Sequence, residues 1–251
     1  MDFFSVNALA GSTLGILVVG FILFRALRPK RFYFVRHGET ILNAAHVRQG
    51  EEGGLSEKGK LQAAATAAHL ATCSIEKLIV SPFERTRETA AIINEKLHVP
   101  ILYSPLVGER RNPSEIIGKS GDDPAVARIV DEMDLSYHDD TYRFSDEENF
   151  QDLKQRAHDT LTLLAQEGAH HTGVVTHSIY LKMLIAYLLY RETLHAKDYV
   201  KLSFFNASDN AAVTVCEYWP LFTLSKTRGW RVISYNETFE QKKSPATRAG
   251  L

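Results

Sequence analysis

Apolar and polar positions alternate along this chain in short strand-like runs and longer helix-like ones, after a first segment that does not alternate at all. Residues 3–24, FFSVNALAGSTLGILVVGFILF, carry no charge. At about 1.5 Å per residue, one helix of this length covers the ~30 Å hydrocarbon core of a bilayer. Because it is apolar all round, it reads as a transmembrane anchor and not as a helix buried in a soluble core. It opens on Met-Asp and no A-x-A site follows, so a cleaved signal peptide fits poorly. Arg25, Arg28, Lys30 and Arg31 flank its far end, against Asp2 at the other. That asymmetry predicts a single-pass membrane protein with everything beyond residue 25 in the cytosol. Gly11 and Gly15 form a GxxxG pair through which two such helices could pair as a homodimer. Small residues are frequent in membrane helices, so a reading without pairing has at least equal weight.

Beyond a basic linker over residues 25–31, the pattern changes. Residues 32–35, 77–80 and 173–176 are short apolar runs that read as buried strands. Between them lie helical stretches over residues 62–72, with Ser56 as a cap, and over 83–96, 149–167 and 179–190. Residues 104–145 are polar and proline-punctuated, an insertion with one helical run near 125–133. Residues 200–205, 211–218 and 230–235 alternate like late strands. Strands that alternate with helices predict an α/β fold over residues 32–240, a three-layer sandwich with a mostly parallel central sheet. Residues 241–251 read as a disordered tail.

Composition narrows the classes. With 29 basic and 30 acidic residues the net charge is −1, which leaves no electrostatic case for nucleic acid. Cys73 and Cys216 match neither a zinc nor a redox spacing and read as core residues. No histidine–carboxylate grouping has a metal-ligand spacing; His170-His171 and His138-Asp139-Asp140 read as solvated loops. Neither a metal nor an organic cofactor is expected.

In a sheet of this kind, ligands bind outside the carboxyl ends of the strands. The first strand ends at Arg36-His37-Gly38-Glu39-Thr40, with Asn43 just beyond. The second ends at Ser81-Pro82, with Arg85 on the first turn of the next helix. The third ends at Thr176-His177-Ser178, again at a helix start. If these strands are neighbours, Arg36, His37, Arg85 and His177 converge. Two arginines, two histidines and two helix N-termini suit a dianionic phosphate. Taken singly, a histidine at a strand end is more often structural, and an arginine on a first turn is more often solvated. The shared edge shifts the odds.

RHGETxxN at 36–43, GLSxxGxxQA at 54–63, SPxxRTxxTA at 81–90 and VVTH at 174–177 resemble the histidine phosphatase superfamily, the phosphoglycerate-mutase-like fold, in its first branch. The resemblance covers roughly residues 31–239. It implies that His37 is a nucleophile that becomes phosphohistidine. It further implies that Arg36, Arg85 and His177 hold the phosphoryl oxygens, and that Asn43 adds an amide contact at the rim. The family's acid lies in an L-x-x-E-like stretch, which Leu106-Val-Gly-Glu109 fits; Glu115 is the reserve. Two departures matter. Ser178 stands where many relatives have glycine, and its backbone N–H can still bind phosphate. After Glu109 the chain runs Arg-Arg-Asn-Pro, unlike the E-R-H-Y-G of mutases. The expected activity is thus a membrane-anchored phosphomonoesterase that needs no metal. The alternatives are a phosphoglycerate-type mutase, or a catalytically quiet module that binds a phosphorylated partner. Whether the substrate is a small molecule, a lipid or a protein stays open.

Overall fold

The computed structural model describes Gly20 and residues 28–136, 138–205, 208–220 and 229–239. The anchor expected over residues 3–24 and the tail expected over 241–251 lie outside the described residues, Gly20 apart. Among the described residues, no helix is long and apolar enough to cross a membrane.

Six strands form one sheet in the order β3-β2-β4-β1-β5-β6. β1 (Lys30–Arg36) runs parallel to β4 (His171–Thr176), which is parallel to β2 (Lys77–Val80); β2 is in turn parallel to β3 (Ile101–Tyr103). On its other side β1 pairs antiparallel with β5 (Val213–Tyr218), and β5 antiparallel with β6 (Trp230–Glu237). The sheet is therefore mixed, with β5 alone running against the other five strands. The reason is local. Ala211 N donates to His37 O at 3.1 Å, so the chain enters β5 at the end where β1 leaves and must run back along it.

Side chains of a strand point alternately to opposite faces, and both faces here are buried. Phe32, Phe34, Ile79, Val174 and Cys216 pack on the layer of α5 (Phe150–Gln166), α6 (Ser178–Tyr190) and α7 (Ala196–Phe205). Tyr33, Val35, Leu78, Val80, Val175 and Val213 pack instead on α2 (Glu57–Leu70) and α3 (Glu84–Leu97). Burial of each large side chain contributes about 1.5–3 kcal/mol. The short α1 (Ile41–Ala44) follows β1, and α4 (Pro124–Leu135) lies within the polar insertion.

Residues 200–205, expected as a strand, belong to α7. Their alternation is short, whereas Ala196, Tyr199 and Leu202 recur at helical spacing against the core. Lys182 Nζ on α6 donates to Ser203 O at 2.9 Å and docks the helix. β3 was not anticipated: it is three residues long and only partly covered at the sheet's edge.

The turn after β1 packs on the start of α2 backbone to backbone. Ser56 caps α2 by accepting from Gly59 N at 3.0 Å, and Ser56 N donates to Glu39 O at 2.9 Å. A Cβ on Gly59 would stand 2.0 Å from Glu39 O, and one on Gly38 would stand 2.5 Å from Gly59 O. Neither position admits a side chain, which explains both glycines of the paired motifs. Gly59→Ala is expected to destabilise the fold by about 1–3 kcal/mol, read as a lower urea midpoint. Gly168→Ala, where a Cβ meets nothing within 4 Å, is the matched control and should leave the midpoint within about 0.5 kcal/mol of wild type.

Candidate active site

The carboxyl ends of β1, β4 and β2 are level. Arg36 is in register with Thr176, and Val80 with Val175. His37 N donates to Thr176 O at 3.0 Å and Ser81 N to Val175 O at 3.1 Å. Three loops therefore leave the sheet side by side, as the sequence required if the strands were neighbours.

His37 is buried. Its Nδ1 lies 2.8 Å from Gly38 O. A carbonyl only accepts, so Nδ1 carries the proton and Nε2 keeps its lone pair. The residue's own carbonyl accepts from Ala211 N and from Asn210 Nδ2, each at 3.1 Å. Gly38 N donates to Thr89 Oγ1 on α3 at 3.1 Å. The ring is thus fixed in tautomer, and its backbone is fixed from two sides.

His177 is fully buried at the start of α6, and its ring centroid lies 5.2 Å from that of His37. Arg85 Nε donates to His177 Nδ1 at 3.2 Å, and a guanidinium has no acceptor. His177 therefore carries its proton on Nε2, which donates to Ser81 Oγ at 2.8 Å. Arg85 is 3% exposed; Nη1 donates to Gly50 O at 2.8 Å, and Phe83 lies against the guanidinium at 5.0 Å. Ser81 orients His177, a part that sequence reading did not give it although its motif was in view.

Arg36 reaches back through Nη1 to Ser208 O, while its Nε is buried with no hydrogen-bond partner. Glu109 follows the short turn at Pro105–Val107 and lies against the first turn of α6. Its Oε1 accepts from Tyr180 N at 3.0 Å and its Oε2 from Ile179 N at 3.3 Å. These are donors that the helix N-terminus leaves open. The reserve acid, Glu115, is exposed on the insertion beside Ser114. Asn43 sits on α1 with its Oδ1 buried and unpartnered. Ser178 is the first residue of α6, partly buried, directly after His177. Of the basic residues in the insertion, Arg111 spends its Nε on Asp146 O at 3.0 Å, and Lys119 is exposed.

Burial, then Arg85, then Arg36 hold His37 well below the ordinary imidazole value; the bond to Gly38 O opposes them. Burial acts first on His177 too, followed by Arg85 and His37. Burial also lowers Arg36 and Arg85, with the Glu109 charge opposing in both cases. The site thus presents neutral imidazoles to cationic guanidiniums. Among the described residues, no group of three His, Cys, Asp or Glu side chains is placed to hold a metal ion.

A consequence for stability follows. Unfolding returns both histidines to about 6.5, so below that pH the unfolded chain takes up protons that the native site refuses. Their contribution is neutral above about pH 6.5, and stability is lost as pH falls through the window beneath it. Urea midpoints should drop from about pH 7.5 to about pH 5, and less steeply for His37→Gln/His177→Gln.

The chain is similar to several known proteins. Over 164 residues the chain is 31% identical to the chicken 6-phosphofructo-2-kinase/fructose-2,6-bisphosphatase, covering 64% of this chain and 33% of that protein. Over 78 residues it is 38% identical to an Erwinia tasmaniensis protein named "probable phosphoglycerate mutase GpmB", covering 31% of this chain and 36% of that one. The chain thus spans only about a third of the length of either relative. A mycobacterial glucosyl-3-phosphoglycerate phosphatase solved with VO3 superposes with a TM-score of 0.66 at 22% identity, covering 83% of this chain and all of that one. At that identity the likeness is one of fold. The model of the histidine phosphatase superfamily (branch 1) matches residues 32–233. With that model spanning every strand end that builds the site, the chain belongs to the histidine phosphatase superfamily, branch 1.

Proposed function

We propose that this chain is a membrane-anchored phosphomonoesterase that works without a metal, through a phosphohistidine on His37. The observation that carries the reading is the pair of buried neutral imidazoles, 5.2 Å apart, between Arg36 and Arg85. In the first step His37 Nε2 attacks phosphorus, and the ester oxygen departs with a proton from Glu109. In the second step Glu109 takes a proton from water, the water oxygen attacks phosphorus, and the N–P bond breaks to return His37 and release phosphate. Arg36, Arg85 and His177 neutralise the equatorial oxygens, with Asn43 and the Ser178 N–H at the rim. Fixed guanidinium charge thus supplies the electrostatic stabilisation that a metal supplies elsewhere. The mutase reading has one observation behind it, the relative that bears that name. Arg110-Arg111-Asn112 after Glu109 argues for hydrolysis instead.

Phosphate release from a panel of phosphomonoesters, with EDTA present, tests the reading. His37→Ala should lower turnover by at least about 10³-fold and remove the acid-labile phosphoenzyme seen after a rapid quench. Undiminished release would end the assignment, and phosphoryl transfer without net release would support the mutase.

The uncharged segment at residues 3–24 and the basic residues after it support an anchor with a cytosolic domain. The full chain expressed in cells should stay with membranes through an alkaline carbonate wash, and protease added outside intact vesicles of cytosolic orientation should digest the domain. Release by the wash, or protection from the protease, would overturn the respective half of this proposal.

A further inference from the structure

The main chain that carries Glu109 is held from below by side chains far away in sequence. Its four successive carbonyls, Leu106 to Glu109, each have a donor. Arg156 on α5 supplies three: Nη1 donates to Leu106 O at 3.1 Å and Gly108 O at 2.7 Å, and Nη2 to Glu109 O at 3.3 Å. Thr160 Oγ1 adds a second bond to Leu106 O at 3.2 Å, and Thr176 Oγ1 takes Val107 O at 2.7 Å.

The guanidinium is itself immobilised. Glu148 grips it in a fork, Oε1 to Nε and Oε2 to Nη2, both at 2.6 Å. The two side chains are only 15% and 13% exposed. One face of the guanidinium lies 4.0 Å from the Tyr180 ring. Tyr180 is also the residue whose N–H holds Glu109 Oε1. The same buried cation therefore supports the acid's backbone directly and its carboxylate through Tyr180. A surface ion pair needs none of this. A planar five-donor group in a fixed orientation, spread over three carbonyls, is a device for holding a loop in place.

We infer that Arg156, fixed by Glu148, is a positioning residue for the acid–base step, setting the Glu109 loop within reach of the ester oxygen. The inference rests on the proposed role of Glu109 as the acid. Arg156 touches no reacting atom. Loss of the clamp should mislocate the acid while leaving His37, Arg36 and Arg85 where they are, since none of those hydrogen-bonds to Arg156.

The test exploits the leaving group. Phenolate, whose conjugate acid has a pKa of about 10, needs a proton as it leaves. The far more acidic 4-nitrophenol needs little help. Phenyl phosphate and 4-nitrophenyl phosphate are compared on the full chain in detergent for Arg156→Met/Glu148→Met, which removes the clamp without stranding a buried charge. The expected result is a fall of about 10–100-fold in kcat/KM on phenyl phosphate and less than about threefold on the nitrophenyl ester. Equal losses on both esters would show a merely structural role, and no loss on either would remove any role; both overturn the inference. If the double variant fails to fold, Glu148→Gln carries the same comparison, with the same selective loss expected. Glu109→Gln runs in parallel. Leaving-group selectivity in Glu109→Gln but not in the clamp variants sinks the clamp alone. Its absence from Glu109→Gln sinks the acid assignment first.

Discussion

Two guanidinium groups are held out of water beside two imidazoles, and most of the site's architecture answers to that. A buried cation without a partner is expensive, and Arg85 is 3% exposed. The chain meets part of that demand with backbone carbonyls, Gly50 O for Arg85 and Ser208 O for Arg36. Each guanidinium also feels the charge of Glu109. The histidines then have no freedom to add to the positive charge. They stay neutral, and hydrogen bonds fix which nitrogen carries each proton. What remains is a pocket whose charge favours an anion and in which His37 Nε2 keeps its lone pair.

Much of this could be read along the chain, because the site lies where strands end. Phe32 to Val35 is apolar enough to declare a strand, and Arg36-His37 falls at its tip. The same holds for Val80-Ser81 and Thr176-His177. Once β4 pairs with both β1 and β2, the three tips must meet. Glu109 was reached only through resemblance. Its place depends on a turn at Pro105–Val107 and on docking to α6, neither of which has a periodic signature. Ser81 stood in plain sight, but a serine before a proline reads first as a turn. Arg156 was invisible for a different reason: on a helix its spacing looks like that of any solvated arginine, and only the fold shows that it lies beneath the loop.

The misreadings have equally local causes. A three-position alternation at Val200, Leu202 and Phe204 cannot be told from one side of a helix, and the buried pair Ala196 and Tyr199 decides for α7. The direction of β5 could not be read from its composition either. Its residues are buried on both faces, Val213 on one and Cys216 on the other, the pattern usually taken for a parallel strand. Only the bond from Ala211 N to His37 O, which starts β5 at the tip of β1, shows that it runs the other way.

The central place of β1 bears on how the protein is made. The strand is the first of the six to be translated, yet its neighbours are β4 and β5. At about 5–20 residues per second, the ribosome leaves Phe32, Phe34 and Val35 without their sheet partners for on the order of ten seconds. Throughout that time an apolar edge is open to whatever else is in reach. The bonds from Asn210 and Ala211 to the His37 carbonyl arrive later still. A nascent chain therefore carries His37 long before it has a pocket around it, and a chain that stops short of residue 210 leaves that edge open for good.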